Sequence, residues 1–158
     1  MNVTIICPGG LKEPFLRDAQ QEYVKRLSKC CSLQIVELPP KSIPKPGTPA
    51  QIDAALRDEG ARILAAVRGG LTAALCVEGE QTDSEGFADI IRRARDSGGG
   101  RLNFIIGSSY GLSPEVKKAA DVRVSFSKMT VPHQLFRVML LEQIYRSFDI
   151  LGAGKYDK

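Results

Sequence analysis

The segment SFSKMTVPHQLFRVMLLEQIYRSF, residues 125–148, joins a polar loop to an unusually apolar helix. The loop breaks at Pro132, and the chain's only histidine, His133, follows it. From Leu135 to Phe148 the apolar residues cover much more of a helical wheel than the stripe of roughly 100° that packs on one sheet. A helix buried inside a larger monomer would show the same pattern. Because 158 residues leave little material to cover it, we expect a second subunit to do so.

Short apolar runs alternate with helical patterns along the rest of the chain. We predict strands at residues 2–7, 32–39, 72–79, 101–107 and 121–126. We predict helices from Pro14, over about 50–67, 84–95 and 114–120, and from Pro132 onward. This alternation predicts an α/β fold with a mostly parallel sheet and helices on both faces. Since no repeat or composition break interrupts it, we expect a single domain over residues 1–158.

Composition excludes several classes of protein. No apolar run approaches the roughly 18 residues of a membrane helix, and the first residues are too short and uncharged for a signal peptide. One histidine and four cysteines without a CxxC pair predict no metal site. A net charge of +4 permits an RNA partner without requiring one. We therefore expect a cytoplasmic protein with reduced cysteines.

Three predicted strands end in small, polar or glycine-bearing loops. These loops are VEGEQTD at 77–83, GSSYGL at 107–112 and SFSKMTVP at 125–132. Ligands of open α/β sheets bind beyond the carboxyl ends of the strands, so we expect a binding site there. The chain has neither the glycine fingerprint of dinucleotide folds nor a phosphate-binding P-loop. Taken singly, each loop fits an ordinary connection between a strand and a helix as well as it fits a binding site.

The runs FIIG and YGLS, the segment 125–148 and the terminal Tyr-x-Lys together resemble the ribosomal RNA large subunit methyltransferase H family of SPOUT methyltransferases. The resemblance spans the chain and includes the EYVKRL and EGARIL segments. It implies a deep C-terminal trefoil knot, a homodimer through the C-terminal helix and S-adenosylmethionine as methyl donor. It also implies methylation at N3 of a pseudouridine in 23S rRNA on assembled ribosomes. The alternative is a catalytically weak ribosome-associated binding protein that retains the fold.

The resemblance further implies which residues form the site. For the donor it implies Leu75, Gly107, Phe126, Ser127, Lys128, Met129, Thr130 and Val131. For catalysis it places the tail beside the target base, and Arg137 is a candidate anion contact; the catalytic candidates are thus Tyr156, Asp157, Lys158 and Arg137. In another interpretation Arg137 pairs with an acidic residue across the dimer, for which Glu142 is the candidate.

Two positions depart from the family pattern. Ser108 replaces the second of two glycines, and serine disfavours a positive φ. Asp157 stands where the tail usually has histidine. Methylation at N3 requires loss of the imide proton, and a carboxylate with an ordinary pKa of ~3.9 is a poorer base than histidine. Lys158 and Arg137 are then the expected stabilisers of the base anion. His133 is interpreted either as a residue that starts the helix or as a catalytic group.

Overall fold

The fold is seen in a computed structural model that describes residues 1–97 and 99–152. Within these ranges the strands are β1 (Asn2–Pro8), β2 (Ser32–Leu38), β3 (Leu71–Gln81), β4 (Arg101–Ile106) and β5 (Val122–Ser125). The helices are α1 (Pro14–Leu27), α2 (Pro49–Ala66), α3 (Ser84–Asp96), α4 (Pro114–Ala119) and α5 (His133–Ile150). The strands form a parallel sheet in the order β2-β1-β4-β3-β5. The predicted α/β class is confirmed.

Local chemistry explains where the helices begin. Pro14, Pro49 and Pro114 occupy the first turns of α1, α2 and α4, where the missing proline N–H has no helical partner to lose. Side chains cap α2, α3 and α4: those of Thr48, Asp83 and Ser113 accept hydrogen bonds from the backbone N–H groups of Gln51, Gly86 and Val116. These caps satisfy backbone donors that a helix start otherwise leaves unpaired.

Helices cover both faces of the sheet. The larger core lies beneath α1, α3 and α5 and includes Leu75, while the smaller core lies beneath α2 and α4 and includes the neighbouring Ala74. Side chains of consecutive strand residues point to opposite faces, which explains this division. Leu75, a predicted donor contact, therefore faces the same layer as α5.

Helix α5 lies between α1 and α3. Leu140, Leu141 and Ile144 are fully buried there within a single chain. Much of the wide apolar arc is thus covered by two flanking helices as well as by the sheet. Leu135 and Met139 remain 42% and 37% exposed.

In the described ranges no helix is both long and apolar enough to cross a membrane, and all four cysteines are free thiols.

Candidate donor-binding site

Three neighbouring strands, β3, β4 and β5, bring candidate donor contacts together at one end of the sheet. Leu75 of β3 is in register with Ile106 of β4 and with Val124 of β5. Gly107 and the loop that begins at Ser125 follow these partners directly. The structure therefore brings together Leu75, Gly107 and the loop after β5, which the sequence separates by as many as fifty residues.

Strand β3 is irregular beside this edge. Its pairing with β5 shifts register between Leu75 and Glu80, and both residues align with Val124. An added Cβ at Gly79 would lie 2.7 Å from the backbone nitrogen of Val124, so only glycine allows the strands to approach there. The sequence predicted that β3 would end at Gly79, but after this bulge it continues to Gln81.

The Gly107 loop is a tight turn. The N–H of Gly111 donates to the carbonyl of Ser108 at 2.9 Å, and Gly111 has φ +86°. A Cβ on Gly107 would lie 2.4 Å from the carbonyl oxygen of Gly111. Ser108 does not adopt a positive φ, so replacing the family's second glycine with serine strains nothing here.

Helix α2 supports this loop from the smaller core. A Cβ on Gly60 would lie 2.4 Å from the hydroxyl of Ser113, so the helix and the loop pack closely. Glu59 is buried beside it, and burial raises the pKa of its carboxyl group while hydrogen bonding to Ser108 acts in the opposite direction. The site analysis of the sequence missed Glu59. The signal was present, because Glu59 lies on the same helical stripe as Ala55 and Ile63.

The loop at 126–131 is shaped by its own side chains. The Ser125 hydroxyl donates to the carbonyl of Ser127 at 3.0 Å, and the Ser127 hydroxyl accepts from the N–H of Met129 at 3.0 Å. The Phe126 ring packs edge-on against Phe87 with centroids 5.4 Å apart. The Phe126 ring is therefore held against the larger core, which fixes the start of the loop.

Other backbone donors of this loop are free. Within the described part of the chain, the N–H groups of Lys128, Thr130 and Val131 donate no hydrogen bond. The side chains of Lys128 and Met129 are exposed. A loop fixed by serine contacts, with unpaired backbone donors beside the apolar Leu75, is suited to a ligand that has both polar edges and apolar parts.

Arg137 is 1% exposed and lies in a network within the chain. Its Nη1 donates to Glu37 Oε1 at 2.5 Å and its Nη2 to the carbonyl of Gly9 at 2.6 Å. Glu142 pairs instead with Arg146, one turn further along α5, at 2.8 Å. The hypothesis that Arg137 and Glu142 pair across a dimer is therefore replaced by two contacts within one chain. Glu37 lies 100 residues from Arg137, too far for sequence spacing to suggest it.

A second contact joins the same two segments. The backbone N–H of Lys12 donates to Gln134 Oε1 at 2.8 Å. With the contact between Arg137 and Gly9, this fastens the loop at 8–13 to the start of α5 at two points. His133 precedes Gln134 in the chain, and its pKa is lowered mainly by burial and further by the charges of Arg137 and Lys12. All three effects disfavour the protonated imidazole.

Tyr156, Asp157 and Lys158 lie outside the described residues, so their catalytic role stays a prediction. Among the residues described, no three His, Cys, Asp or Glu side chains form a group that could hold a metal ion. A cleft of about 480 Å³ opens between α1, α3 and α5, with Phe126 and Met139 in its wall. The loop at 126–131 thus adjoins a partly apolar hollow.

Comparisons with known proteins agree with this geometry. Residues 1–157 match the family described as "Predicted SPOUT methyltransferase". Proteins named ribosomal RNA large subunit methyltransferase H from Clostridium botulinum and Clostridium kluyveri are 45% and 44% identical over 159 residues, covering all of each chain. The structure of a tRNA (m1G37) methyltransferase from Aquifex aeolicus aligns with a TM-score of 0.54 at 12% identity, over 92% of this chain and 70% of that one, which shows a shared fold. The chain belongs to the SPOUT methyltransferases, in their ribosomal RNA large subunit methyltransferase H family.

Proposed function

We propose that this protein transfers a methyl group from S-adenosylmethionine to N3 of a pseudouridine in 23S rRNA. The observation that carries the proposal is the meeting of Leu75, the Gly107 turn and the loop at 126–131, in which the N–H groups of Lys128, Thr130 and Val131 have no partner among the described residues. Full-length identity of 45% to a protein named for rRNA methylation supports the choice of substrate. A knot formed by the C-terminal segment is part of the same proposal.

The residues present fit this donor. Leu75 would supply an apolar surface, and Gly107 lets the turn at 107–111 approach closely. The unpaired N–H groups of Lys128, Thr130 and Val131 would hold polar edges of the adenosine and the amino acid portion. When bound, S-adenosylmethionine supplies an electrophilic methyl group, so the protein must only orient the donor and exclude water.

The acceptor requires different help, because N3 becomes nucleophilic as its proton passes to solvent, Asp157 being a poor base at its ordinary pKa of ~3.9. We assign stabilisation of the resulting anion to Lys158, with Tyr156 and Asp157 beside it. Arg137 supports this step indirectly, because both of its Nη groups are committed, to Glu37, Gln20 and Gly9, and its side chain is buried. We therefore treat Arg137 as a positioning residue.

A homodimer through α5 belongs to the proposal. The apolar side chains of Leu135 and Met139 stay exposed on α5, as does Ile150 at the far end of the helix. A two-fold partner placed at Leu135 and Met139 would bury them beside the start of α5 and the donor loop. We propose that the dimer acts in the cytoplasm on assembled ribosomes.

Two measurements test the function together. Mass spectrometry of 23S rRNA from cells lacking the protein should show loss of one methylated pseudouridine, and the wild-type gene should restore it. Calorimetry should show S-adenosylmethionine binding to the purified protein. Donor and ribosome binding without methylation would support the non-catalytic alternative. A lack of S-adenosylmethionine binding would show that the assigned residues do not form a donor pocket.

The tail has its own test. We expect Asp157→His to keep or raise methylation on ribosomes, since a histidine with its ordinary pKa of ~6.5 accepts a proton near neutral pH. Tyr156→Ala and deletion of Lys158 should lower kcat more than donor affinity. Unchanged turnover after removal of residues 156–158 would exclude a catalytic tail.

A further inference from the structure

The start of α1 presents a large apolar side chain to solvent. Phe15 is 66% exposed, second only to Met129 among the exposed large hydrophobic residues of the described chain. Its neighbours Lys12, Glu13 and Asp18 are also exposed. A contiguous apolar patch would indicate a protein partner, but Phe15 stands among charged groups. Proteins that bind single-stranded nucleic acid combine positive charge with aromatic rings on which bases stack, and Lys12 and Phe15 offer one of each, three residues apart.

Hydrogen bonds hold the backbone of the loop at 8–13, which carries Lys12 and leads to Phe15. Arg17 Nη1 donates to the carbonyls of Leu11 at 3.1 Å and Lys12 at 2.7 Å. The N–H of Lys12 is bound by Gln134, and the carbonyl of Gly9 is bound by Arg137. The loop is thus fixed from α1 and from α5 while the Lys12 side chain remains exposed. Prior ordering lowers the entropy lost when a partner binds.

The pair also lies close to the candidate donor site. Strand β1 lies beside β4, so the loop after β1 emerges at the same edge of the sheet as the Gly107 turn. Gln134, which binds Lys12, follows the donor loop 126–131 by three residues. Among the described residues, the Lys12 side chain forms none of the ion pairs found. A polynucleotide whose target base reaches the donor must pass near this edge.

We propose that Lys12 and Phe15 contact the rRNA beside the target nucleotide, with Lys12 on a phosphate and the Phe15 ring stacked on an unpaired base. This inference rests on the proposed function for the identity of the RNA. It explains how a chain with a net charge of only +4 engages RNA, because stacking adds affinity that charge does not supply. The Arg137 network then has a role in recognition, as the fastening of this loop.

The test uses full-length variants, each with a matched control in or next to α1. Phe15→Ala and Lys12→Ala are compared with Val24→Ala, another exposed apolar residue of α1, and with Lys29→Ala beyond the far end of α1. Phe15→Trp keeps a stacking ring, and Phe15→Leu keeps only an apolar surface. Readouts are co-sedimentation with ribosomes, KM and kcat for methylation, donor affinity by calorimetry, and mass by light scattering.

We expect Phe15→Ala and Phe15→Leu to weaken ribosome binding and raise KM about tenfold, which lies within the range for losing one stacked base. Phe15→Trp should bind like the parent. Lys12→Ala should weaken binding and reduce the slope of log affinity against log salt by about 0.7, the value for one phosphate contact in a single strand. Donor affinity and the controls should not change.

Two outcomes would overturn the inference. Unchanged ribosome binding by Phe15→Ala and Lys12→Ala would exclude the contact. Dissociation of a dimer in Phe15→Ala, with Phe15→Leu restoring it, would assign Phe15 to a second copy of the chain. Because co-sedimentation does not require turnover, a parent protein that bound ribosomes without methylating them would contradict the proposed function and still test this contact.

Discussion

Arg137 shows how one side chain changes role when its surroundings are known. On sequence alone, a cation in an apolar helix was a reasonable candidate for an anion contact. In the fold its charge is met by Glu37, and its Nη2 is used by the Gly9 carbonyl. Its Nε is the one buried side-chain nitrogen or oxygen of the described chain that lacks a partner. Burying the Arg137 side chain costs free energy, but its contacts fix one arrangement of the loop at 8–13 and α5.

This network predicts an asymmetric response to mutation. Glu37→Ala leaves the buried Arg137 charge without its partner and should reduce the free energy of unfolding by about 3–5 kcal/mol. Arg137→Met leaves Glu37, which is 43% exposed and can be hydrated, so the loss should be nearer ~1–3 kcal/mol for the unpaired Gly9 carbonyl. Urea denaturation of both variants and of the double variant measures this. A double variant less stable than Glu37→Ala alone would contradict the explanation.

Gly107→Ala and Gly99→Ala form a test variant and its control. Gly107→Ala places a Cβ 2.4 Å from the Gly111 oxygen, so the turn must shift, whereas nothing lies within 4 Å of a Cβ on Gly99. We expect Gly107→Ala to lower stability by about 1–3 kcal/mol and to weaken donor binding, since overpacking displaces backbone. Gly99→Ala should leave donor affinity unchanged in calorimetry. A donor affinity in Gly107→Ala equal to that of the parent would show that the pocket does not include this turn.

At the scale of elements, α5 has two kinds of apolar residue. Leu141 and Ile144 are buried against their own chain, whereas Met139 and Leu135 are exposed. The sequence could not separate these kinds, because a wide apolar arc is equally produced by flanking helices and by a second subunit. Substituting Leu141 or Ile144 with arginine would therefore disrupt the protomer itself. A test of the dimer must use the exposed positions.

We expect Met139→Arg to yield a folded monomer, because it adds a charge only where a partner would cover the helix. Leu141→Arg should lose the fold, since the charge enters the core. Ala54→Arg, on an exposed position of α2 across the sheet, is the control. Light scattering gives the mass and circular dichroism the fold. A Met139→Arg protein with the parent's mass would place any interface elsewhere.

At the scale of the whole molecule, sequence patterns predicted most of the architecture. Strand and helix positions were right to within a few residues, because buried strands are continuous apolar runs and the helices carry proline or capping signals at their starts. The meeting of Leu75, Gly107 and the 126–131 loop was implied by family resemblance and follows from strand order, which spacing alone does not give. The contacts of Arg137 with Gly9 and Glu37 could not be predicted, since they join positions at least 100 residues apart.

Protonation of the one histidine should appear in overall stability. The pKa of His133 is lowered from 6.5 in the fold, so below pH 6.5 the unfolded chain binds a proton that the folded chain resists. Stability should therefore rise with pH across the window just below 6.5 and fall as the solution is acidified. His133→Gln should flatten this dependence in urea titrations at pH about 5.5 and about 7.5. Equal slopes in both proteins would show that His133 does not contribute.

The order of the strands leaves β2 and β5 at the edges of the sheet. Unpaired edges can recruit strands of other molecules and begin aggregation. Here β5 has four residues, and β2 carries the charged Glu37 and runs into Pro39 and Pro40, which lack an N–H to donate. Strand β2 is the longer edge, with seven residues in regular register with β1, and the two prolines that follow it stop further pairing. We expect these features to limit, at both margins of the sheet, the strand pairing that begins aggregation.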